Sequence, residues 1–464
     1  TVYSIHVGVT KSCSNLAVSS MYTMLFLIGK GSSMSGQYFK LPSGTKTIVL
    51  GVGDVNGYMR GKRIPATQWE RTCKEGNAII AALFAMDMTS DVWDTPYCSF
   101  DNGYVDMHMF PLAEPVSCPW EPGVAVCLGH ALGADHKPVP IDPRRTLLRQ
   151  LERAAGMGYE IKVGTELEFY LLDPETGLPT FTGNQVYGIN RSSEMEHVLG
   201  PMRDHLTAMG IPIEQSNPEY AAGQVEMNVR YDEAMVAADR TVLFRAMVKE
   251  IASKHGYLAT FMAKPFIAES GSGFHTHYSI WKDGKNQFAE NGKMNETGMA
   301  FVAGQQLRMA EMSIVGSTTP NAYRRRQSYS FCPINNSWGY DNRTVGLRVI
   351  EGDDSAVRVE KRDASADCNP YYLLACDIAA GLDGIEQNLR PGPQTDGNAY
   401  EDNPADPLPR SLDAALDLAK SSEFLKEVIG KDTLNIFLTQ CEREIQFVND
   451  QVTKVETERY LKNL

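Results

Sequence analysis

Residues 163–173, VGTELEFYLLD, alternate. Val163, Thr165, Leu167, Phe169 and Leu171 fall on one side; Gly164, Glu166, Glu168, Tyr170 and Leu172 fall on the other. A period of two predicts a β-strand with one apolar face and one face bearing two carboxylates. Three more segments repeat the pattern. GQVEMNVRY (223–231) sets Val225, Met227 and Val229 against Glu226, Asn228 and Arg230. GSGFHTHYSIW (271–281) places His275, His277 and Ser279 together, and AVRVEKRD (356–363) sets Arg358, Glu360 and Arg362 against Val357 and Val359. Elsewhere the period lengthens. Leu147, Leu148, Leu151, Ala154 and Ala155 in RRTLLRQLERAAGMGY (144–159) predict a helix stopped by Gly156 or Gly158. DEAMVAADRTVLFRAMVKEIASKHG (232–256) predicts a long helix, and SLDAALDLAKSSEFLKEVIG (411–430) a return to helix.

Punctuation divides the chain. VLGVGDVNGYMRGKRIP (49–65) reads as a hairpin turning at Asn56-Gly57. The Pro-rich ADHKPVPIDP (134–143) suits a linker, so a boundary is expected near residue 140, dividing 1–140 from 141–464. The polar stretch 390–409 is a long loop. A run at 21–29, MYTMLFLIG, is too short to span a bilayer. It has the length of a signal-peptide core, but no small-residue cleavage site follows, and a buried strand or helix suits it better.

Composition narrows the classes. The 464 residues are too many for one ordinary core, and 43% hydrophobic with 22% charged is a globular balance. A formal net charge of −13 argues against sequence-independent nucleic-acid binding. Nine cysteines with no CxxC pair imply free thiols in a reducing compartment, hence a cytoplasmic protein.

Like carboxylates side by side on a sheet repel. Pooled from the four strands, and with Glu219 seven residues before Glu226, the polar faces offer Glu166, Glu168, Glu219, Glu226, Glu360 and His275. Oxygen-rich ligands with one imidazole suit Mg²⁺ or Mn²⁺, and bound ions would relieve the repulsion. Arg325, Arg343, Arg348, Arg358 and Arg362 add positive charge. Metals with several arginines are what phosphoryl transfer requires. The chain has no GxxxxGK[ST] loop, which excludes a P-loop enzyme.

GTELEFYLL, EYAAGQVE, FMAKPF…GSGFHTHYSIW, NAYRRR, NRTVGLRV and RVEKRDASADCNPYYLLA occur in the order found in the glutamine synthetase family. DVNGYMRGKRIP extends the likeness toward the amino terminus. The resemblance implies an α+β protein: an amino-terminal β-grasp domain and a catalytic domain on a curved antiparallel sheet. It implies homo-oligomeric rings, hexamers stacked as a dodecamer, with active sites between neighbouring subunits. Carried over by motif, Glu168, Glu219 and Glu226 resemble ligands of one metal, and Glu166, His275 and Glu360 those of a second. His277, Ser279 and Arg358 resemble ATP contacts, Arg343 and Arg348 phosphate contacts, and Gly271, Arg325 and Arg362 the glutamate set. The implied reaction is ATP-dependent: the γ-carboxylate of L-glutamate is phosphorylated, and an amine then displaces phosphate.

Two departures concern the amine. Ammonia-using members carry KRLVPGYEAP, whose Glu helps bind ammonium; here RRRQSYSFCP sets Phe331 in its place. The family's DGSS aspartate is also missing, and Asp87 in FAMDMTSD is the candidate replacement. NNSWGYDNRTVGLRV is most similar to the branch that joins glutamate to organic amines, such as the γ-glutamylpolyamine synthetases. The expected activity is therefore a glutamate–amine ligase for an alkyl, aromatic or polyamine acceptor. An ammonia-using glutamine synthetase and a non-catalytic structural member stand as alternatives.

Overall fold

The computed structural model describes residues 37–464 except 182, 185 and 402, so the apolar run at 21–29 lies outside the described residues. The predicted hairpin is formed by β1 (Thr47–Gly53) and β2 (Met59–Pro65), in register from Thr47 opposite Pro65 to Gly53 opposite Met59. Its turn depends on Asp54 as much as on Asn56-Gly57. The buried Asp54 carboxylate accepts from the backbone of Asn56 and Tyr58 at 2.9 and 2.8 Å and from Arg60 Nε at 2.6 Å. Gly57 takes a φ of +67°, which costs glycine nothing.

With β3 (Asn77–Ile80), β4 (Asp106–Pro111), β5 (Val116–Ser117) and β6 (Val124–Leu132), the hairpin completes a six-stranded sheet. The order is β2-β1-β6-β4-β3, with β1 and β6 parallel, which suits a β-grasp. Asn369 ties this sheet to the rest of the chain. Its Nδ2 donates to the carbonyls of Asp54 and Val55 at 2.9 and 3.0 Å, while its Oδ1 caps the helix Pro370–Glu386.

After the Pro-rich stretch, Asp142 caps the helix Pro143–Gly156, and Pro143 fills its first turn. Gly158, with φ +83°, ends it rather than Gly156, which is still helical. The segment 411–430 breaks into two helices, Leu412–Ser421 and Glu423–Ile429, because the Ser422 side chain turns to cap Leu425 N at 2.9 Å.

The remaining strands are β7 (Glu160–Leu172), β8 (Ile213–Pro218), β9 (Gln224–Glu233), β10 (Leu258–Thr260), β11 (Phe274–Lys282), β12 (Lys285–Asn286), the small pair β13 (Ala289–Glu290) and β14 (Lys293–Met294), β15 (Trp338–Tyr340), β16 (Leu347–Ile350) and β17 (Arg358–Lys361). Nine of them form one sheet whose main path is β15-β16-β17-β11-β7-β9-β8. The four strands read from alternation are therefore consecutive neighbours, β17-β11-β7-β9, all antiparallel. The sheet as a whole is not purely antiparallel, since β15 and β16 run parallel at its edge.

The apolar face of β7 and β9 is buried. Leu167, Phe169, Leu171, Val225, Met227 and Val229 pack in one cluster with Val198 and Met202 from the helix Ile189–Ala208 and Phe244 and Val248 from the helix Ala234–Lys254. The opposite face is polar only in part. Tyr170 and Leu172 form a small apolar cluster there with Ala221. The core face of β17 holds a buried cation, Lys361, 2.6 Å from Asp363 and 3.1 Å from Asp377. Asp377 lies on the helix Pro370–Glu386 and also accepts from the Tyr278 hydroxyl of β11 at 2.7 Å.

Behind the sheet, that helix and Glu296–Gly316 approach closely at paired glycines. A β-carbon on Gly304 would run into the Ala380 carbonyl, and one on Gly384 into the Ala300 carbonyl. Gly304→Ala, although it improves helix propensity, is therefore expected to lower stability by about 1–3 kcal/mol through overpacking. A shift of the urea midpoint to lower concentration checks this, and an unchanged or higher midpoint contradicts it.

Candidate active site

Strand register builds the site. On β7, Glu166 lies opposite His275 of β11 on one side and Asn228 of β9 on the other. Two residues along, Glu168 lies opposite Glu226, which in turn faces Asn217 of β8. His277 lies opposite Glu360, and Glu360 opposite Arg348 of β16. Glu166, His275 and Glu360 offer ligand atoms that all lie within 4.8 Å of one another, and so do Glu168, Glu226 and His275. His275 thus stands between two carboxylate pairs. Glu219, just past β8, is outside both groups; its Oε1 accepts from Asn217 Nδ2 at 3.1 Å.

The electrostatics are those of crowded anions. Burial and the charges of Glu166, Glu168 and Glu219 push the Glu226 carboxyl up to about 9. Burial and Glu168 push Glu219 up to about 7. Burial opposes ionisation of Glu166 as well, yet His277 and His275 hold it far below the usual carboxylate range. Glu360 is held down at about 2 against its burial by Arg362 and the same histidines. His277 Nδ1 accepts from Arg358 Nε at 3.2 Å, while its buried Nε2 lies 3.0 Å from Glu166 Oε1 without hydrogen-bond geometry. An oxygen-rich set with one shared imidazole, raised carboxyls and an unpartnered buried ring nitrogen fits divalent cations of the Mg²⁺ or Mn²⁺ kind.

Backbone fit fixes the first of these carboxylates. Glu168 Oε2 accepts from Gly273 N at 2.8 Å and Gln224 Nε2 at 3.2 Å, and the same Gln224 nitrogen donates to Gly271 O at 3.1 Å. A β-carbon on Gly273 would lie 2.9 Å from the Arg325 guanidinium and 3.1 Å from His275 Nε2; one on Gly271 would run into the Arg325 stem. Gly273 and Gln224 stand inside motifs read from the sequence, but alternation of charged side chains gives a glycine or an amide no signal.

The arginines divide. Arg362 and Arg348 both hold Glu360, Arg348 at 3.1 Å, and Arg325 is buried with its Nη1 donating to Ala364 O at 2.9 Å. Arg343 is exposed in the turn before β16, and its charge works against the upward shifts of Tyr187 and Glu219. Ser279 accepts from Trp281 Nε1 at 2.8 Å. A cavity of about 410 Å³ opens beside Glu166, lined also by Lys162, Tyr231, His277, Ser279 and Arg358.

Phe331 is half-exposed and stacks on Tyr220, with ring centroids 5.8 Å apart and planes at 23°. Tyr220 directly follows Glu219 in the chain. Tyr220 was invisible to sequence reading because it lies 111 positions from Phe331. Asp87 joins none of these groups within one chain. Its Oδ1 accepts from Thr89 N and Asp91 N at 2.8 and 2.9 Å, and its carbonyl from Arg60.

Comparison with known proteins follows the same lines. The family described as glutamine synthetase, catalytic domain, matches residues 140–460. The chain belongs to the glutamine synthetase family. A glutamate–isopropylamine ligase of a Pseudomonas species is 34% identical over 89% of this chain and 95% of its own length. A gamma-glutamylethanolamide synthetase of Streptomyces coelicolor is 34% identical over 89% and 92%. A solved structure titled as a GmaS/ADP complex superposes with a TM-score of 0.81 at 29% identity, covering 90% of this chain and 97% of that one. Glutamine synthetase family members are ATP-dependent carbon–nitrogen ligases that use divalent metals, and this chain is an enzyme of that class on the glutamate–amine branch. Among the described residues no helix is long and apolar enough to cross a membrane.

If the carboxylates hold metal, Glu226→Gln removes a ligand while keeping the shape of the neutral acid. In chelator near neutral pH the variant is expected to melt no lower than the parent, because Gln is neutral without the proton that Glu226 must take up on folding. Added Mn²⁺ should raise its midpoint by several degrees less than the parent's. Thermal melts with and without Mn²⁺ measure both; equal Mn²⁺ shifts would remove Glu226 from the ligand set.

Proposed function

We propose that the chain joins the γ-carboxylate of L-glutamate to an organic amine, with ATP as the energy source. The γ-phosphoryl group passes to the carboxylate oxygen and ADP leaves. The amine nitrogen then forms a bond to the carbonyl carbon, the carbon–oxygen bond to phosphate breaks, and the amine gives up a proton. Splitting the reaction replaces a poor leaving group by a good one. Glu166, His275 and Glu360, and Glu168, Glu226 and Glu219, are assigned to two divalent cations, which when bound neutralise charge on the phosphate oxygens. Arg343 and Arg348 orient the transferring group, and His277, Ser279 and Arg358 face the nucleotide along the 410 Å³ cavity. Gly271, Arg325 and Arg362 line the glutamate position.

The observation that carries the choice of amine is Phe331. In the ammonia-using pattern a carboxylate stands there to attract ammonium; a phenyl ring stacked on Tyr220 offers an apolar wall instead. The printed names of the two sequence relatives, which concern isopropylamine and an ethanolamide, agree with this reading. We further propose that the chain assembles as a homo-oligomer, in hexameric rings stacked as a dodecamer. Asp87, remote from the carboxylates of its own chain, would serve a neighbour's site as the group that takes the amine proton.

The test is steady-state phosphate release with glutamate, ATP and a panel of acceptors at matched free-base concentration. An organic amine is expected to exceed ammonia tenfold or more in kcat/KM. Ammonia as the best acceptor would make the chain a glutamine synthetase proper, and no acceptor-dependent release would make it a non-catalytic member.

Two substitutions probe the machinery. Glu168→Ala should lower turnover at least a hundredfold in saturating Mg²⁺ or Mn²⁺, because positioning and charge neutralisation both fail. Arg343→Lys keeps the charge but loses the planar fork; kcat should fall tenfold or more with a smaller change in amine KM. Near-parental kcat in either variant, with the protein folded, would cancel that assignment.

A further inference from the structure

The segment between Arg326 and Pro333 is a built wall. Tyr329 and Phe331 both have left-handed backbone, φ +63° and +57°, a conformation that non-glycine residues adopt only where their surroundings fix it. The fixing contacts are present. Ser330 Oγ donates to the carbonyls of Arg325 and Gln327 at 3.1 and 2.6 Å. The Tyr400 hydroxyl donates to Cys332 O at 3.1 Å, and the Tyr329 hydroxyl to Glu401 Oε1 at 3.1 Å. The Tyr329 and Tyr400 rings lie 5.6 Å apart, and Phe331 stacks on Tyr220. Two aromatic pairs from three separate stretches of chain therefore converge on one short loop.

This wall joins the carboxylates to the glutamate position. Tyr220 follows Glu219 directly in the chain. At the other end, the charges of Arg362 and Arg325 reach Tyr400. Yet Tyr220 and Phe331 remain 46% and 44% exposed, a large apolar surface to leave open beside a polar site.

The loop itself carries charge of one sign. Residues 324–333 contain three arginines and no carboxylate. Among the described residues, the one carboxylate hydrogen-bonded to the wall is Glu401, and its Oε1 already accepts from both Tyr329 and Asn398 Nδ2. A second ammonium group carried in with the acceptor would meet ring surface and the exposed Arg324, since Glu401 is shared between two donors and Glu219, next to Tyr220, is committed to a metal in the reading above.

We propose that Tyr220, Phe331, Tyr329 and Tyr400 form the subsite for the carbon substituent of the acceptor, that this acceptor is a primary monoamine with a compact apolar substituent rather than a diamine or polyamine, and that Tyr220 is a specificity-determining residue. The proposal rests on the amine-ligase reading above. It adds a substrate class and gives a role to Tyr220, Tyr329 and Tyr400, to which the motifs assigned none. The rings fill space next to the acyl carbon, so an alkyl group is buried as its nitrogen arrives, while ammonia leaves the surface wet.

The test compares n-propylamine, 1,3-diaminopropane and ammonium at matched free-base concentration, by phosphate release, in the parent protein and in Tyr220→Ala, Tyr220→Phe and Phe331→Ala. n-Propylamine and 1,3-diaminopropane share a carbon chain and differ only in the second amine. In the parent, n-propylamine should exceed both others tenfold or more in kcat/KM. Tyr220→Ala and Phe331→Ala should each lower the propylamine-to-ammonium ratio about tenfold, and Tyr220→Phe should preserve it. Because both residues are nearly half exposed, truncation leaves the core intact, and circular dichroism verifies folding.

A parent that uses the diamine as well as propylamine would overturn the monoamine class. Proportional losses for every acceptor in Tyr220→Ala would overturn the specificity role. If instead the parent prefers ammonium or releases no phosphate with any acceptor, the amine-ligase reading itself fails, and the subsite falls with it.

Discussion

Mutual repulsion among Glu166, Glu168, Glu226 and Glu360 is the constraint that the rest of the structure answers. Placed on β17, β7 and β9 of one sheet, with only β11 between the first two, these side chains would be expelled toward water if nothing held them. Their perturbed ionisation records the cost: Glu226 is pushed up to about 9, while Glu360 stays ionised near 2 only because Arg362 and two histidines compensate for its burial. Such divergence among neighbouring carboxyls marks a site arranged for charge, not a solvated face.

Holding four acids together needs a stiff platform. The reverse faces of β7 and β9 are apolar except at Thr165 and pressed against two helices, so the strands cannot twist their carboxylates away without exposing Leu167, Phe169 and Met227. On β17 the grip is ionic. Lys361 is buried between Asp363 and Asp377, on the core face of the strand whose other face carries Glu360. A buried pair of this kind adds little net stability, but misplacing any one partner leaves an uncompensated charge, so it holds β17 in one register. Gly271 and Gly273 complete the platform by letting Arg325 come closer than any β-carbon would allow.

The two ends of the site obey different physics. At the carboxylate end, charge and hydrogen bonding dominate, and phosphoryl transfer needs nothing more from the protein than positioning and charge. At the Phe331 end, rings stack on rings and a left-handed backbone carries them. In the proposed function, electrostatics selects the phosphoryl chemistry common to the family, and apolar surface separates one acceptor amine from another.

The sequence by itself determined the strands, the ligand-type residues and the family. A period of two survives in any fold that buries one face, so the β7, β9, β11 and β17 segments were legible one at a time, as were the Asp142-capped helix and the Asn56-Gly57 turn. Which strands became neighbours was decided only by tertiary structure, because pairing depends on the whole core and not on local pattern; the order β17-β11-β7-β9 is what places His275 between two carboxylate pairs. The core face of β17 read as apolar from Val357 and Val359, yet it carries Lys361, whose burial is tolerable only with Asp377 from a distant helix. Phe331 stood out in the sequence as a missing carboxylate, but its partners did not. Tyr220 and Tyr400 lie 111 and 69 positions away, and they meet the Phe331 loop only because the sheet and the 390–409 loop bring them there, a long-range contact that no local pattern encodes.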